Sequence, residues 1–202
     1  CGGTMLKFKE MQIELSCLIV SGHLPPLYDE SAFEITKQEA LTAFKKYNID
    51  NYNFLKIPAT KVNELPKADI NNLIYSNLVE FKPDMLFIPF PDRHIDHRVI
   101  FDTCMVASRP NNNYFPKTVL AYETLSETHW NAPFIEPNFI PNFFIDISKF
   151  IDEKLNILSL YKSQIAENNA RSIDAVEALA KFRGSQNGCK YAEAFQLIRH
   201  VD

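Results

Sequence analysis

Runs of consecutive apolar residues alternate along the chain with segments whose apolar positions recur at helical spacing. The runs predict strands at residues 13–20, 53–57, 84–90, 118–124 and 143–147. The helical spacing predicts helices at residues 5–10, 35–47, 68–81, 94–109, 149–161 and 171–182. Strands that alternate with helices indicate an α/β fold with a mostly parallel sheet flanked by helices.

The length of the chain predicts a single domain over residues 1–202. A chain of 202 residues is long enough to bury a substantial hydrophobic core. No internal repeat or low-complexity tract divides it. The run at 84–90, DMLFIPF, is nearly all apolar, as expected of a strand that is covered on both faces of a parallel sheet.

Composition and charge argue against two classes of protein, those that bind nucleic acids and those that span a membrane. The 46% of hydrophobic and 23% of charged residues are ordinary for a soluble globular protein. The net charge of -4 argues against a nucleic-acid partner, and no apolar stretch is long enough for a membrane span. The four cysteines are far apart and form no CxxC pair, which favours a reducing, cytoplasmic location.

The segment Asp92-Arg93-His94-Ile95-Asp96-His97 carries the clearest chemical signal. It follows the apolar run and precedes a predicted helix, where ligands gather in open α/β sheets. The two histidines are three apart and so share one helical face, which suits zinc ligation or one ligand with one acid/base group. Asp96 or Asp92 could orient an imidazole. An ordinary solvated helix start, with an aspartate as N-cap and both histidines on the surface, remains equally open from spacing alone.

The motif D-x-H-x-D-H-R at residues 92–98 resembles the second signature of the LmbE/PIG-L family of N-acetylglucosaminyl deacetylases. Further segments match the family in order, so that the resemblance covers nearly the whole chain. They are the opening CGGTMLKFKE, Tyr122-Glu123, Asp146-Ile147-Ser148 with Lys154, Ser163-Gln164, Phe182-Arg183-Gly184, and Tyr191-Ala192-Glu193-Ala194-Phe195.

This resemblance implies a Rossmann-like fold and a zinc-dependent hydrolase that removes the acetyl group from an N-acetylated sugar or glycoconjugate. It implies that His97 binds Zn²⁺, that His94 acts on the oxyanion or the leaving amine, and that Asp96 holds His94. Zinc would polarise the amide carbonyl and lower the pKa of its water, and a carboxylate would take the proton of that water.

The first signature of the family, H-P-D-D, is absent from these 202 residues. In the family it supplies a histidine ligand, an aspartate ligand and the aspartate base. We expect it to lie upstream of Cys1, together with the first strand of the sheet, because the CGGT match begins at the first residue. A fragment or an inactive relative is the alternative.

Three further positions of the matched segments are candidates for substrate binding, each with a structural alternative. Tyr191 either hydrogen-bonds substrate or is packed. Arg183 either binds an anionic group or pairs with Glu193, and Glu123 either lines the pocket or pairs with a lysine. In the long loop at 125–142, His129 and Trp130 could form a sugar-stacking lid or pack as structure.

We therefore expect an enzyme that acts on a small-molecule amino-sugar substrate, with a homo-oligomer left open. A non-catalytic sugar-binding relative of the same fold is the first alternative. A purely structural or interaction domain is the second, and it predicts no buried polar pocket near His94.

Overall fold

The computed structural model describes residues 1–132, 134–167 and 169–202. Its strands are β1 (Ser16–Gly22), β2 (Asn51–Pro58), β3 (Met85–Pro89), β4 (Thr118–Tyr122), β5 (Phe143–Asp146) and β6 (Ala192–His200). Its α-helices are α1 (Gly2–Glu10), α2 (Glu30–Tyr47), α3 (Lys67–Phe81), α4 (Ile95–Ala107), α5 (Ile151–Leu158) and α6 (Ile173–Ser185). The predicted α/β fold is confirmed. None of the helices in the described residues is long and apolar enough to cross a membrane.

The strands form two sheets, and their directions differ in part from the expected mostly parallel arrangement. β1 and β2 are parallel, as are β3 and β4. In the four-stranded sheet, of order β3-β4-β6-β5, β6 is antiparallel to both of its neighbours. The short connection from α6 delivers the start of β6 beside the end of β5, where Ala192 pairs with Asp146, so β6 must run back along β5.

The two sheets contribute to one hydrophobic cluster together with helices α3 and α4. Val20 and Ile57 come from the first sheet, and Ile88 and Val119 come from the second. The helices add Ile70, Ile74, Cys104 and Ala107 to the same cluster. Burial of these apolar side chains fixes α4 against β3 and thereby fixes the connection that joins them.

The parallel pairing of β3 with β4 determines where polar residues meet. Pro89, the last residue of β3, pairs with Tyr122, the last residue of β4. The chain segments that follow these two strands, residues 90–94 and 123–142, therefore leave the same edge of the sheet. In α/β proteins this carboxyl edge is where ligands bind.

A buried carboxylate joins the start of α1 to the last strand. Glu193 is 7% exposed and accepts hydrogen bonds from the backbone N–H groups of Gly3, at 3.0 Å, and Thr4, at 2.8 Å. Lys154 Nζ lies 2.8 Å from the same carboxylate. Burial by itself would raise the pKa of Glu193, but the charge of Lys154 and these hydrogen bonds outweigh it and hold the pKa far below its usual range.

We expect Glu193→Gln to lower the free energy of unfolding by about 3–5 kcal/mol, because it leaves Lys154 without its counter-charge in a buried place. Urea denaturation at neutral pH measures this difference. A carboxylate with a depressed pKa stabilises the fold above its usual titration range, and this contribution is lost as the pH falls towards the folded-state pKa. The difference between wild type and variant should therefore shrink in acid.

The matched control is Glu10→Gln, which removes the exposed ion pair between Glu10 and Lys149. Exposed pairs contribute at most about 1 kcal/mol. Equal effects of the two substitutions would show that Glu193 does not anchor the fold.

Candidate functional site

The segment between β3 and α4 turns tightly and ends in a histidine that caps the helix. The N–H of Asp92 donates to the carbonyl of Phe90 at 2.8 Å. His94 is the N-cap residue of α4, and its Nδ1 accepts a hydrogen bond from the N–H of Asp96 at 3.2 Å. One of the free N–H groups at the start of the helix is thus satisfied by an imidazole.

Asp92 has a fully buried carboxylate with three hydrogen-bond donors. Its Oδ1 accepts from the N–H of His94 at 3.0 Å and lies 2.8 Å from Nδ1 of His97. Its Oδ2 accepts from the hydroxyl of Thr128 at 2.8 Å. Burial alone would raise the pKa of Asp92, but the hydrogen bonds from His97, from the N–H of His94 and from Thr128 bring the pKa below its usual value. Asp92 is therefore an ionised acceptor inside the protein.

The rings of His94 and His97 are stacked, with centroids 4.7 Å apart and an interplanar angle of 23°. Their hydrogen bonds select opposite tautomers. His97 donates from Nδ1 to Asp92, which in the neutral ring leaves the lone pair on Nε2. His94 accepts at Nδ1, which places the proton of its neutral ring on Nε2. One ring can thus bind a cation or accept a proton, while its neighbour can donate a hydrogen bond.

Asp96 does not hold the ring of His94 with its carboxylate, in contrast to the prediction. The carboxylate is 1% exposed, and it accepts from the N–H of Thr60 at 2.8 Å and the N–H of Val62 at 3.4 Å. Only the backbone N–H of Asp96 reaches His94. The side chain therefore fixes the connection between β2 and α3, and Asp92 orients a histidine instead.

The predicted substrate-binding residues Glu123 and Arg183 bind each other. Arg183 donates from Nε and Nη2 to the two carboxylate oxygens of Glu123, at 2.9 and 2.6 Å. His129 Nε2 lies 2.9 Å from the same carboxylate. The pairs differ from the expected alternatives: Glu193 binds Lys154 rather than Arg183, and Glu123 binds Arg183 and His129 rather than a lysine. Burial would raise the pKa of Glu123, but His129 and Arg183 lower it on balance.

Both members of this pair line a cavity of about 360 Å³. The cavity extends to Lys154 and Glu193 and is otherwise walled mainly by apolar side chains. Because each of its buried cations already has a carboxylate partner, the cavity offers no unpaired positive charge among these four residues. Binding of substrate by Glu123 and Arg183 stays a prediction.

Tyr191 lies in the hydrophobic core and not along this cavity. It is 6% exposed and packs in a cluster with Leu120, Ile147 and Phe195. Its hydroxyl donates to Glu177 at 2.8 Å, which raises the pKa of the phenol. These contacts correspond to the packed alternative that the sequence left open.

The segment after β4 is fastened beside the histidines by a residue that sequence reasoning did not single out. Glu136 accepts from Arg93 Nη1 at 3.0 Å, Arg98 Nη2 at 2.6 Å and the N–H of Ala132 at 3.1 Å. The hydrogen bond from Ala132 and those from the two arginines lower the pKa of Glu136 to about 2. Arg93 and Arg98 flank the motif in the sequence, but nothing in the pattern of the long loop marks its partner.

The histidine motif supplies one side chain suited to bind a metal ion. His97 fits a metal ligand, because its Nδ1 is held by a buried carboxylate and its Nε2 keeps the lone pair. A zinc site needs at least three protein ligands. Residues 1–132, 134–167 and 169–202 contain no cluster of three His, Cys, Asp or Glu side chains that could hold an ion. These residues therefore fit one ligand of a metal site and not a complete site.

Comparison with known sequences identifies a family. The sequence model of the family described as PIG-L, GlcNAc-PI de-N-acetylase, matches residues 1–108. The match covers α1 to α4 and includes both stacked histidines.

Solved structures share the fold at low sequence identity. A conserved protein of Thermus thermophilus has a TM-score of 0.79 at 22% identity, over 100% of this chain and 89% of its own. The N,N'-diacetylchitobiose deacetylase of Pyrococcus horikoshii has a TM-score of 0.75 at 20% identity, over 98% and 77% of the two chains. The 4-carboxy-2-hydroxymuconate hydratase GalB of Pseudomonas putida has a TM-score of 0.76 at 14% identity, over 100% and 91%. The fold thus accommodates more than one reaction.

We expect Glu136→Gln to loosen the loop at 125–142, because the neutral amide binds Arg93 and Arg98 less strongly. Amide hydrogen exchange of Ala132, whose N–H binds Glu136, should accelerate at neutral pH. Because the pKa of Glu136 is depressed from 4.5 to about 2, its anchoring is complete above about pH 4.5 and is lost as the pH falls through about 2. Wild type in acid should therefore resemble the variant.

Glu127→Gln provides the control within the same loop, since Glu127 pairs with Arg171 at 3.8 Å, whereas Arg93 and Arg98 pair with Glu136. It should leave the exchange of Ala132 unchanged. Unchanged exchange in Glu136→Gln as well would contradict the anchoring role.

Proposed function

The chain belongs to the PIG-L family, and from this premise we propose that it is a metal-dependent hydrolase that removes the acetyl group from an N-acetylated amino sugar. The observation that carries the proposal is the pair of stacked histidines in opposite tautomers at the carboxyl edge of the sheet. Metal-assisted hydrolysis of an amide uses an ion that polarises the carbonyl and a hydrogen-bond donor that stabilises the oxyanion. The ring of His97 can bind the ion, and the ring of His94 can donate the hydrogen bond.

His97 has the role of a metal ligand in this proposal. The ionised Asp92 beside Nδ1 makes Nε2 a better donor to a cation and fixes the orientation of the ring. When bound, a zinc ion would polarise the acetyl carbonyl and supply an activated water. A complete zinc site would need at least two further protein ligands, and the described residues hold no cluster of His, Cys, Asp or Glu that supplies them.

His94 serves as a hydrogen-bond donor to the oxyanion. Its Nδ1 is occupied by the N–H of Asp96, so the ring holds its proton on Nε2. A neutral imidazole is a good hydrogen-bond donor and a poor acid, as in other enzymes that stabilise an oxyanion with a neutral histidine. This hydrogen bond therefore favours oxyanion stabilisation over protonation of the leaving amine.

The family description and the Pyrococcus deacetylase support an N-acetylated sugar as the substrate class. Carboxylates near the histidines do not compete for a base role, because Asp92 and Asp96 already accept hydrogen bonds from protein donors. The imidazole nitrogens are thus the groups of this motif that remain available for chemistry.

We expect His97→Ala to abolish both zinc retention and release of free amine from N-acetylglucosamine glycosides. Elemental analysis gives the zinc content per chain, and an amine-reactive fluorophore gives the activity. His200→Ala is the matched control, because His200 binds Thr118 at the opposite end of β4. The proposal fails if the two variants retain equal zinc and equal activity.

We expect His94→Ala to lower kcat about 100- to 1,000-fold with little change in KM, as is typical when an oxyanion donor is removed. Zinc content should stay at the wild-type level, since His94 is not a ligand. Steady-state kinetics beside elemental analysis separates the two histidines. Loss of zinc in this variant would assign His94 to the metal instead.

A second candidate is a sugar-binding protein without catalysis. It is favoured by the lack of a complete ligand cluster in the described residues. It predicts that amino sugars bind equally well to wild type and His97→Ala, and that neither protein releases amine. Calorimetric titration with N-acetylglucosamine distinguishes this candidate from the hydrolase.

A further inference from the structure

Thr128 lies in the short 3-10 helix Thr128–Trp130 and is 4% exposed. Its hydroxyl lies between two polar groups. It accepts a hydrogen bond from the N–H of Thr124 at 2.8 Å and lies 2.8 Å from Oδ2 of Asp92. Because Thr124 already supplies one hydrogen to this oxygen, the single proton of the hydroxyl is directed to Asp92.

This contact determines how the carboxylate of Asp92 is turned. Rotation about its Cβ–Cγ bond would move both oxygens at once. With Oδ2 held by Thr128, Oδ1 stays where it accepts from the N–H of His94 and from Nδ1 of His97. The orientation of the imidazole therefore depends, through Asp92, on a hydroxyl in the segment that follows β4, 36 residues from Asp92 in sequence.

We propose that Thr128 is a positioning residue for His97, which acts through Asp92 to hold the ring in the Nδ1–H tautomer with Nε2 free. This inference rests on the proposed function for its consequence in catalysis. The positioning itself concerns only groups within the described chain. A series of hydrogen bonds runs from the N–H of Thr124 through Thr128 and Asp92 to His97, so the loop after β4 sets the state of the ring.

The test measures the tautomer directly in metal-free protein. Long-range ¹H–¹⁵N correlation spectra distinguish protonated from unprotonated ring nitrogens, and at about pH 8 an ordinary imidazole is neutral. Comparison with His97→Ala assigns the signals among the five histidines. Wild type should show His97 mainly as the Nδ1–H form. In Thr128→Val, which keeps the shape and removes the hydroxyl, the ratio of Nδ1–H to Nε2–H forms should fall at least about fivefold.

Thr128→Ser keeps the hydroxyl and should restore the wild-type ratio. Trp130→Phe is the matched control, since it removes a hydrogen bond to the carbonyl of Ser126 in the same turn without contact to Asp92. If Thr128→Val does not fold, Thr128→Ala removes the same hydroxyl with less crowding and has the same expected result. A ratio unchanged from wild type in the folded Val or Ala variant, or a ratio lowered equally in Trp130→Phe, overturns the proposal.

A second measurement connects the inference to the metal. In zinc-loaded protein, competition with a chelator should show that Thr128→Val weakens zinc affinity about tenfold, while Thr128→Ser does not. If wild type binds no zinc, the metal in the proposed function is wrong, and the tautomer ratio still decides the role of Thr128. If wild type binds zinc and the ratio does not respond to Thr128, the inference alone fails.

Discussion

The site depends on one buried negative charge. A carboxylate without contact to water is stable only when protein donors replace its hydration. Asp92 meets this requirement with donors from the start of α4, from the ring of His97 and from the hydroxyl of Thr128. Segments that are remote in sequence are held together because each donates a hydrogen bond to the same carboxylate.

Other acidic side chains of the matched segments are used in the same way, as internal anchors. Asp96 holds the connection after β2, Glu193 holds the start of α1, and Glu123 holds Arg183. Each carboxylate is largely removed from solvent and has its donors in place. These acidic residues therefore build the walls of the site, and the Nε2 atoms of the two stacked histidines are left for ligands.

The sequence predicted the α/β fold and the location of the polar cluster. Both predictions depend on local structure, because the spacing of apolar residues distinguishes helices from strands and the polar cluster follows the end of an apolar strand. It could not predict partners that depend on tertiary geometry. The strand β6 was not among the predicted strands, because residues 192–200 contain no unbroken apolar run, and its antiparallel direction depends on where the connection from α6 delivers it. The roles of Asp92 and Asp96 were open for a similar reason, since both lie within reach of an imidazole in sequence and only the packing of α4 separates them. Thr128 carried no signal at all, being one hydroxyl in a long irregular loop.

The position of β6 also affects how this sheet can be completed during synthesis. β6 is the last of the six strands to leave the ribosome, yet it lies between β4 and β5. Until it arrives, both of these strands present open hydrogen-bonding edges, which are templates for association with other chains. The nascent protein must therefore keep an unfinished sheet from aggregating until β6 has been synthesised, and then join residues that are 190 positions apart. The yield of folded protein in cells should therefore depend on chaperones and on the speed of translation through α6, and not only on the stability of the complete fold.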